Sequence, residues 1–195
     1  MTDKQIERVK NKIRKLKQAL ADDKKQWGGV YHDGTGIRYV IPEQYIKIKD
    51  YKGGLRYLRW FDKNFPDDIG YPIFLFENTF ILFKRDKVKE AEKKACKTFF
   101  SNTYLFDIFL EKEPLYFDKS ENHAWEFEEL AKHLPYKKDD LEFVEFAAWI
   151  QNVLNSREFL DQANEFIQIE QQLKNEPVGK KRTQLVERLS KIKYT

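Results

Sequence analysis

The sequence predicts an all-α fold of helix-turn-helix pairs, with capping helices at the N- and C-terminal ends. Three observations predict it. Apolar residues recur at intervals of three and four along most of the chain, which is the helical period. No stretch keeps the strict alternation of a half-buried strand; residues 30–32 (VYH) and the apolar run 73–76 are too short. Charged residues reach 35% against 8 Gly and 6 Pro, a mix that favours long, salt-bridged helices over a turn-dense β fold. The 195 residues suit a single domain, 1–195, with a real core.

The N-terminal helix, 1–26, follows from Ile6, Val9, Ile13, Leu16 and Leu20 on one stripe, with Thr2 or Asp3 placed to cap it. Trp27 to Gly36 breaks the pattern with four glycines in ten residues. Helical spacing resumes at Ile37, Ile41, Tyr45 and Ile48. Pro42 places it either in the first turn of a helix that starts near Ile41 or at a kink. A helix over 51–64 follows and stops at Phe65-Pro66, because proline disfavours α geometry in the residue before it. Helices over 72–84 and 87–100 come next, the second with Ala91 and Ala95 facing inward.

Residues 104–138 are the least regular segment, with a helix beginning at Tyr104 and a short one over 125–134. The C-terminal helices fill 139–195. Asp139 or Asp140 is placed to cap a helix through Asn155, Ser156 to cap the next, and 180–193 closes the chain.

Two helix pairs repeat within 35–103. Gly54 and Ala91 occupy equivalent places 37 residues apart, close to the roughly 34-residue period of a common helical repeat. In the first pair Ile41, Tyr45, Gly54, Leu58 and Pro66 fall on the leucine, tyrosine, small, large and proline positions of the tetratricopeptide repeat, and the pair resembles that family. Arg38 stands where an aromatic is usual and Pro42 where a small residue is usual; the second pair keeps Ala91 and Ala95 but has Leu82 for the tyrosine. The stretch 33–68 is also similar to segments of uncharacterised bacterial repeat proteins. The resemblance implies a right-handed solenoid fragment with a concave protein- or peptide-binding surface and no catalysis. It implies no cofactor.

Two constellations are candidate sites. Arg38, Tyr45, Lys49, Arg56 and Arg59 combine the arginines and aromatics that dominate binding hot spots; the resemblance puts Arg38, Tyr45 and Lys49 along a groove. Their ordinary use is core aromatics beside solvated arginines. His32, Asp33 and Arg38 form the alternative loop site, for a small ligand or for acid–base work by a histidine beside a carboxylate. Their ordinary use is a turn and a helix cap, since no nucleophile or metal partner accompanies them. No glycine-lysine phosphate loop follows the DGTG turn.

Charge is uneven. Residues 1–25 carry nine basic and four acidic residues, 174–195 carry seven and two, and the overall balance is +4. Basic ends leave a nucleic-acid partner as an alternative, although no nucleic-acid-binding module is present. Twelve acids crowd 107–145, with Glu126, Glu128 and Glu129 expected on a helix surface and no EF-hand spacing. His123 and His133 carry no ligand motif, and Cys96 reads as a small buried hydrophobe. A lone cysteine and an N-terminus without an apolar signal core suggest a cytoplasmic setting. No apolar run is long enough to cross a membrane. The stripes of 2–25 and 180–193 offer a homodimer seam as a further reading.

Overall fold

A computed structural model describes residues 1–117, 119 and 126–194. It is all-helical, with no strand among the described residues. The chain forms two compact units, Met1–Ala91 and Glu92–Thr195. No helix among the described residues is long and apolar enough to cross a membrane.

In the first unit α1 spans Asp3–Gln26. Thr2 accepts from the Gln5 N–H while the Gln5 side chain accepts from the Thr2 N–H, which satisfies orphan donors reciprocally. Ile13 and Leu20 are buried; Ile6, Val9 and Leu16 are half-buried. A 3-10 turn at Ile37–Tyr39 leads into α2, Ile41–Lys47. Pro42 lies in the first turn of α2, where its missing N–H costs nothing, so there is no kink. The 3-10 turn takes up the first part of the apolar spacing that began at Ile37.

Asp50 caps α3, Tyr51–Asn64, through the Gly53 N–H. α4 covers Pro72–Lys84 and buries ten residues spread around its whole circumference, Glu77, Asn78 and Thr79 among them. α2 packs on α1, α3 and α4, and α3 packs on α4. α5, Val88–Ser101, begins in this unit with Ala91 fully buried.

The corners after α2 and after α4 have the same geometry. Lys49 (φ 56°) and Asp86 (φ 55°) are both left-handed. After α2, the Lys49 N–H donates to Ile46 O and the Asp50 N–H to Tyr45 O; after α4, the Asp86 N–H donates to Phe83 O and the Lys87 N–H to Leu82 O. This is the Schellman closure, made twice 37 residues apart by non-glycine residues. The Gly54 N–H then donates to Asp50 O and the Ala91 N–H to Lys87 O, so each following helix starts in the same register.

In the second unit α5 continues through Ala95 to Phe99 and Phe100. α6 covers Leu105–Phe109, α7 Glu128–Lys132, α8 Val144–Leu154, α9 Arg157–Asn175 and α10 Lys180–Tyr194. The core is aromatic. Phe166 lies 5.0 Å from Phe100, and Phe99 lies 5.3 Å from Phe159, ring centre to ring centre. Phe109 meets Phe143 and Phe146 at 6.0 and 5.8 Å. Ser156 caps α9 as expected.

Asp139 and Asp140 do not cap α8. That helix starts at Val144, and Asp140 instead accepts from the Lys137 N–H within a preceding turn. Arg182 closes the α9–α10 corner by donating to Leu173 O and Glu176 O, two carbonyls that α9 leaves without helical donors. The short helix expected at 125–134 is found as α7; Trp125 lies outside the described residues.

The two glycines of α3 differ in what they permit. A side chain at Gly53 would collide with the Asp50 carboxylate and come within 2.6 Å of the buried Tyr45 ring. One at Gly54 would meet Ile81 alone, at 3.0 Å from its Cδ1 and 3.4 Å from its Cγ2. Gly53→Ala should therefore cost about 1–3 kcal/mol through overpacking. Gly54→Ala should cost less, because alanine recovers about 1 kcal/mol of helix propensity against the milder crowding of Ile81. Thermal melts of the two variants check this, and the reverse order would overturn the packing account.

Candidate functional site

Two of the predicted residues, Asp33 and Arg38, meet in the first unit, where they build a hydrogen-bonded clasp with Tyr39 and Asp68. It begins on α1. Asp23 Oδ2 accepts from the backbone N–H groups of His32 (2.8 Å) and Asp33 (3.1 Å), which fixes the glycine-rich loop to the helix. Asp33 is buried, and both its carboxylate oxygens are used. Oδ1 accepts from the Ile37 N–H at 2.9 Å; Oδ2 accepts from the Arg38 N–H at 3.0 Å and from the Arg38 guanidinium at 2.9 Å. The guanidinium also donates from Nε to Asp68 at 2.7 Å. Tyr39 completes the circuit, donating its hydroxyl to Asp68 and accepting from Arg38.

This arrangement answers a local demand. A buried carboxylate is costly unless paired and hydrogen-bonded, and the DGTG turn aims two backbone donors at one. Gly36, at φ 70°, gives the left-handed step that the 3-10 turn needs. The Arg38 charge is strongly held: burial opposes it, but hydrogen bonds to Asp68 and Asp33 outweigh that and push its pKa up. Burial first, and then the hydrogen bond to Asp68, push the Tyr39 hydroxyl up to about 12. Burial also raises the Tyr57 hydroxyl, which donates to Arg38 O at 2.7 Å.

The predicted residues thus have different fates. Arg38 is committed to the clasp. Tyr45 is buried, with Lys17 of α1 5.3 Å from its ring centre and 5.7 Å from that of Tyr57. His32 is exposed and stacks on Trp27 at 4.5 Å; it makes no hydrogen bond to Asp33. Lys49 is exposed at the left-handed corner. Arg56 and Arg59 are exposed on α3, and Arg59 forms an ion pair with Glu90 of α5. Lys52 and Lys63 are exposed on the same helix. Positions 52, 56, 59 and 63 step by four, three and four, which sets four cations on one ridge. Gly53, Gly54, Tyr57, Leu58 and Phe61 form the buried face of α3.

Glu126 differs from its expected place, and two further acids are buried. Glu126 is buried and pairs with Lys119 at 2.8 Å, whereas Glu128 and Glu129 pair with Lys132 near the surface. Glu170 is fully buried, with Lys193 at 3.6 Å. Glu77 is buried in α4. Glu170 had a signal: it continues the apolar stripe Phe159, Ala163, Phe166, Leu173 at helical spacing.

No group of three or more His, Cys, Asp or Glu is placed to hold a metal ion among the described residues; His123 lies outside them and His133 is exposed. Cys96 is half-buried, and burial, then Glu158, push its thiol up to about 11, away from nucleophilic use. Comparison with known proteins returns no match to a family model, a curated protein or a solved structure.

The clasp generates two predictions. Arg38→Ala strips a buried carboxylate of its counter-charge and should cost about 3 kcal/mol in urea unfolding. A loss under about 0.5 kcal/mol would show the network to be incidental. The second concerns pH. Tyr39 has a higher pKa folded, about 12, than its ordinary 10.0. Its contribution is therefore intact below about pH 10 and lost as pH rises towards 12. Tyr39→Phe should be less stable at neutral pH and show a shallower decline of stability between pH 10 and 12. An unchanged alkaline slope would contradict the assignment.

Proposed function

We propose that the protein is an interaction module of the helical-repeat type, holding a protein or peptide partner on the outer ridge of α3. The observation that carries this reading is the exposed series Lys52, Arg56, Arg59 and Lys63 on one helix face. Arg56 is exposed and able to take a carboxylate, and Arg59 already takes one from Glu90 in an exposed pair that a partner's carboxylate can exchange with. Arg56 and Arg59 belong to the binding set expected from sequence; Lys49 lies in the corner before α3, while Arg38 and Tyr45 hold the helices in place. The 37-residue spacing of the corners at Lys49 and Asp86 supports the tetratricopeptide-like reading, although the same left-handed closure recurs at Glu111 after α6, outside the two pairs.

No catalytic step is assigned. The His32-Asp33-Arg38 alternative is disfavoured because backbone donors and Arg38 already engage both Asp33 oxygens. The homodimer seam is disfavoured because α1 buries Ile13 and Leu20, and α10 buries Leu185 and Leu189, within their own units. A cytoplasmic, bacterial setting suits the single, half-buried cysteine and the repeat resemblance.

Arg56→Glu with Arg59→Glu should reduce recovery of specific partners in a pull-down from the native host, read by mass spectrometry, at least tenfold. Both residues are exposed, so the melting temperature should stay within about 4 °C. Undiminished recovery would overturn the proposal. Arg38→Glu serves as the contrasting variant, which should lose the fold before it loses the partner.

A further inference from the structure

The ridge has a geometry that narrows its occupant. We infer that it receives an acidic helix, laid along α3 with carboxylates repeating at intervals of four, three and four; this rests on the reading of α3 as the binding face. The four cations climb the helix in steps of about 6, 4.5 and 6 Å. A second helix with the same spacing reproduces those steps. An extended peptide offers same-side groups about every 6.8 Å and drifts out of register over four contacts.

The chain already contains one contact of this kind. Glu90, in the first turn of α5, lays its carboxylate on Arg59. That pair shows a guanidinium of this ridge taking a carboxylate from another helix.

Polynucleotide is the less suitable polyanion. Asp62 is exposed on α3 itself, and Glu90 stands against Arg59, so a continuous phosphate backbone meets two carboxylates beside the cations. An acidic helix can place a neutral or basic residue opposite Asp62, and at Arg59 its carboxylate takes the place that Glu90 holds in the free chain. Exposed ion pairs contribute about 0.2–1 kcal/mol each. Four of them support only roughly millimolar binding in isolation, which suits a transient contact or one avidity contribution within a larger partner.

The test uses the full chain and three fluorescent probes at low salt. The first is an alanine-rich helical peptide with glutamates at the 4-3-4 spacing. The second has the same composition with its glutamates spread around the helix, and the third is a 16-base-pair DNA duplex. The spaced peptide should bind at least tenfold tighter than the scattered one, and Arg56→Glu with Arg59→Glu should weaken it at least tenfold. A lysine version of the spaced peptide should then prefer that double variant. Equal binding of the two glutamate peptides would overturn the helix inference while leaving α3 as the binding face. Tighter binding of the duplex, with a salt slope near that of four released counterions, would replace the acidic helix with nucleic acid. Binding of every probe unchanged in the double variant would sink both this inference and the reading beneath it.

Discussion

The first unit depends on how one buried carboxylate is neutralised. Asp33 is 4% exposed. Two backbone donors and one guanidinium satisfy it. The same guanidinium reaches Asp68, which itself accepts from the Gly70 N–H and the Tyr39 hydroxyl. The clasp therefore joins the loop before α2 to the loop after α3. Tyr57, from the middle of α3, donates to Arg38 O and ties that helix to the same point. Once both loops and Tyr57 are held, the face of α3 that meets α4 is set, and so is the opposite ridge.

That ridge is cationic partly by exclusion. Arg38, whose guanidinium lies over the Tyr39 and Phe65 rings, is half-buried because two carboxylates compensate it. Arg56 and Lys52 form no ion pair among the described residues and are exposed to water, where a guanidinium or ammonium is most stable. The first unit carries 20 basic and 13 acidic residues, so its surface is positive even after the internal pairs are counted. Isolated charges on such a face add little to stability. Their physical consequence is long-range attraction of acidic partners and a dependence on ionic strength.

The helices were legible from residues alone where a single period and a clear stop coincided. α3 and α4 match the expected bounds, because Asp50 and Pro72 begin them and Phe65-Pro66 and Arg85-Asp86 end them. α8 was misjudged at its start: Asp139 and Asp140 have the chemistry of a cap, but Asp140 is already used by a local turn. The clasp was half legible. His32, Asp33 and Arg38 could be picked out as a cluster, but Asp68 lies 30 residues beyond Arg38 and no local pattern links them. Tyr45 was expected on a groove because the repeat resemblance puts it there. In the structure α1 packs on α2, and Lys17 lies over the ring. Reading α1 as a capping stripe did not specify which face of α2 it would cover.

Buried acids show why periodicity needs chemistry beside it. Glu170 occupies a core position of α9 between Phe166 and Leu173, and its charge is met by Lys193, 23 residues later on α10. The Lys193 ammonium also lies 5.1 Å from the centre of the Phe166 ring, so cation, carboxylate and aromatic share one site. A buried pair of this kind is weak evidence for net stability, since desolvation offsets most of the attraction. It does depend on register: sliding α10 by one turn would carry the Lys193 ammonium away from both Glu170 and the Phe166 ring. Leucines at 185 and 189 tolerate such a slip better, because one apolar contact resembles another. The pair therefore favours the observed register of the α9–α10 hairpin.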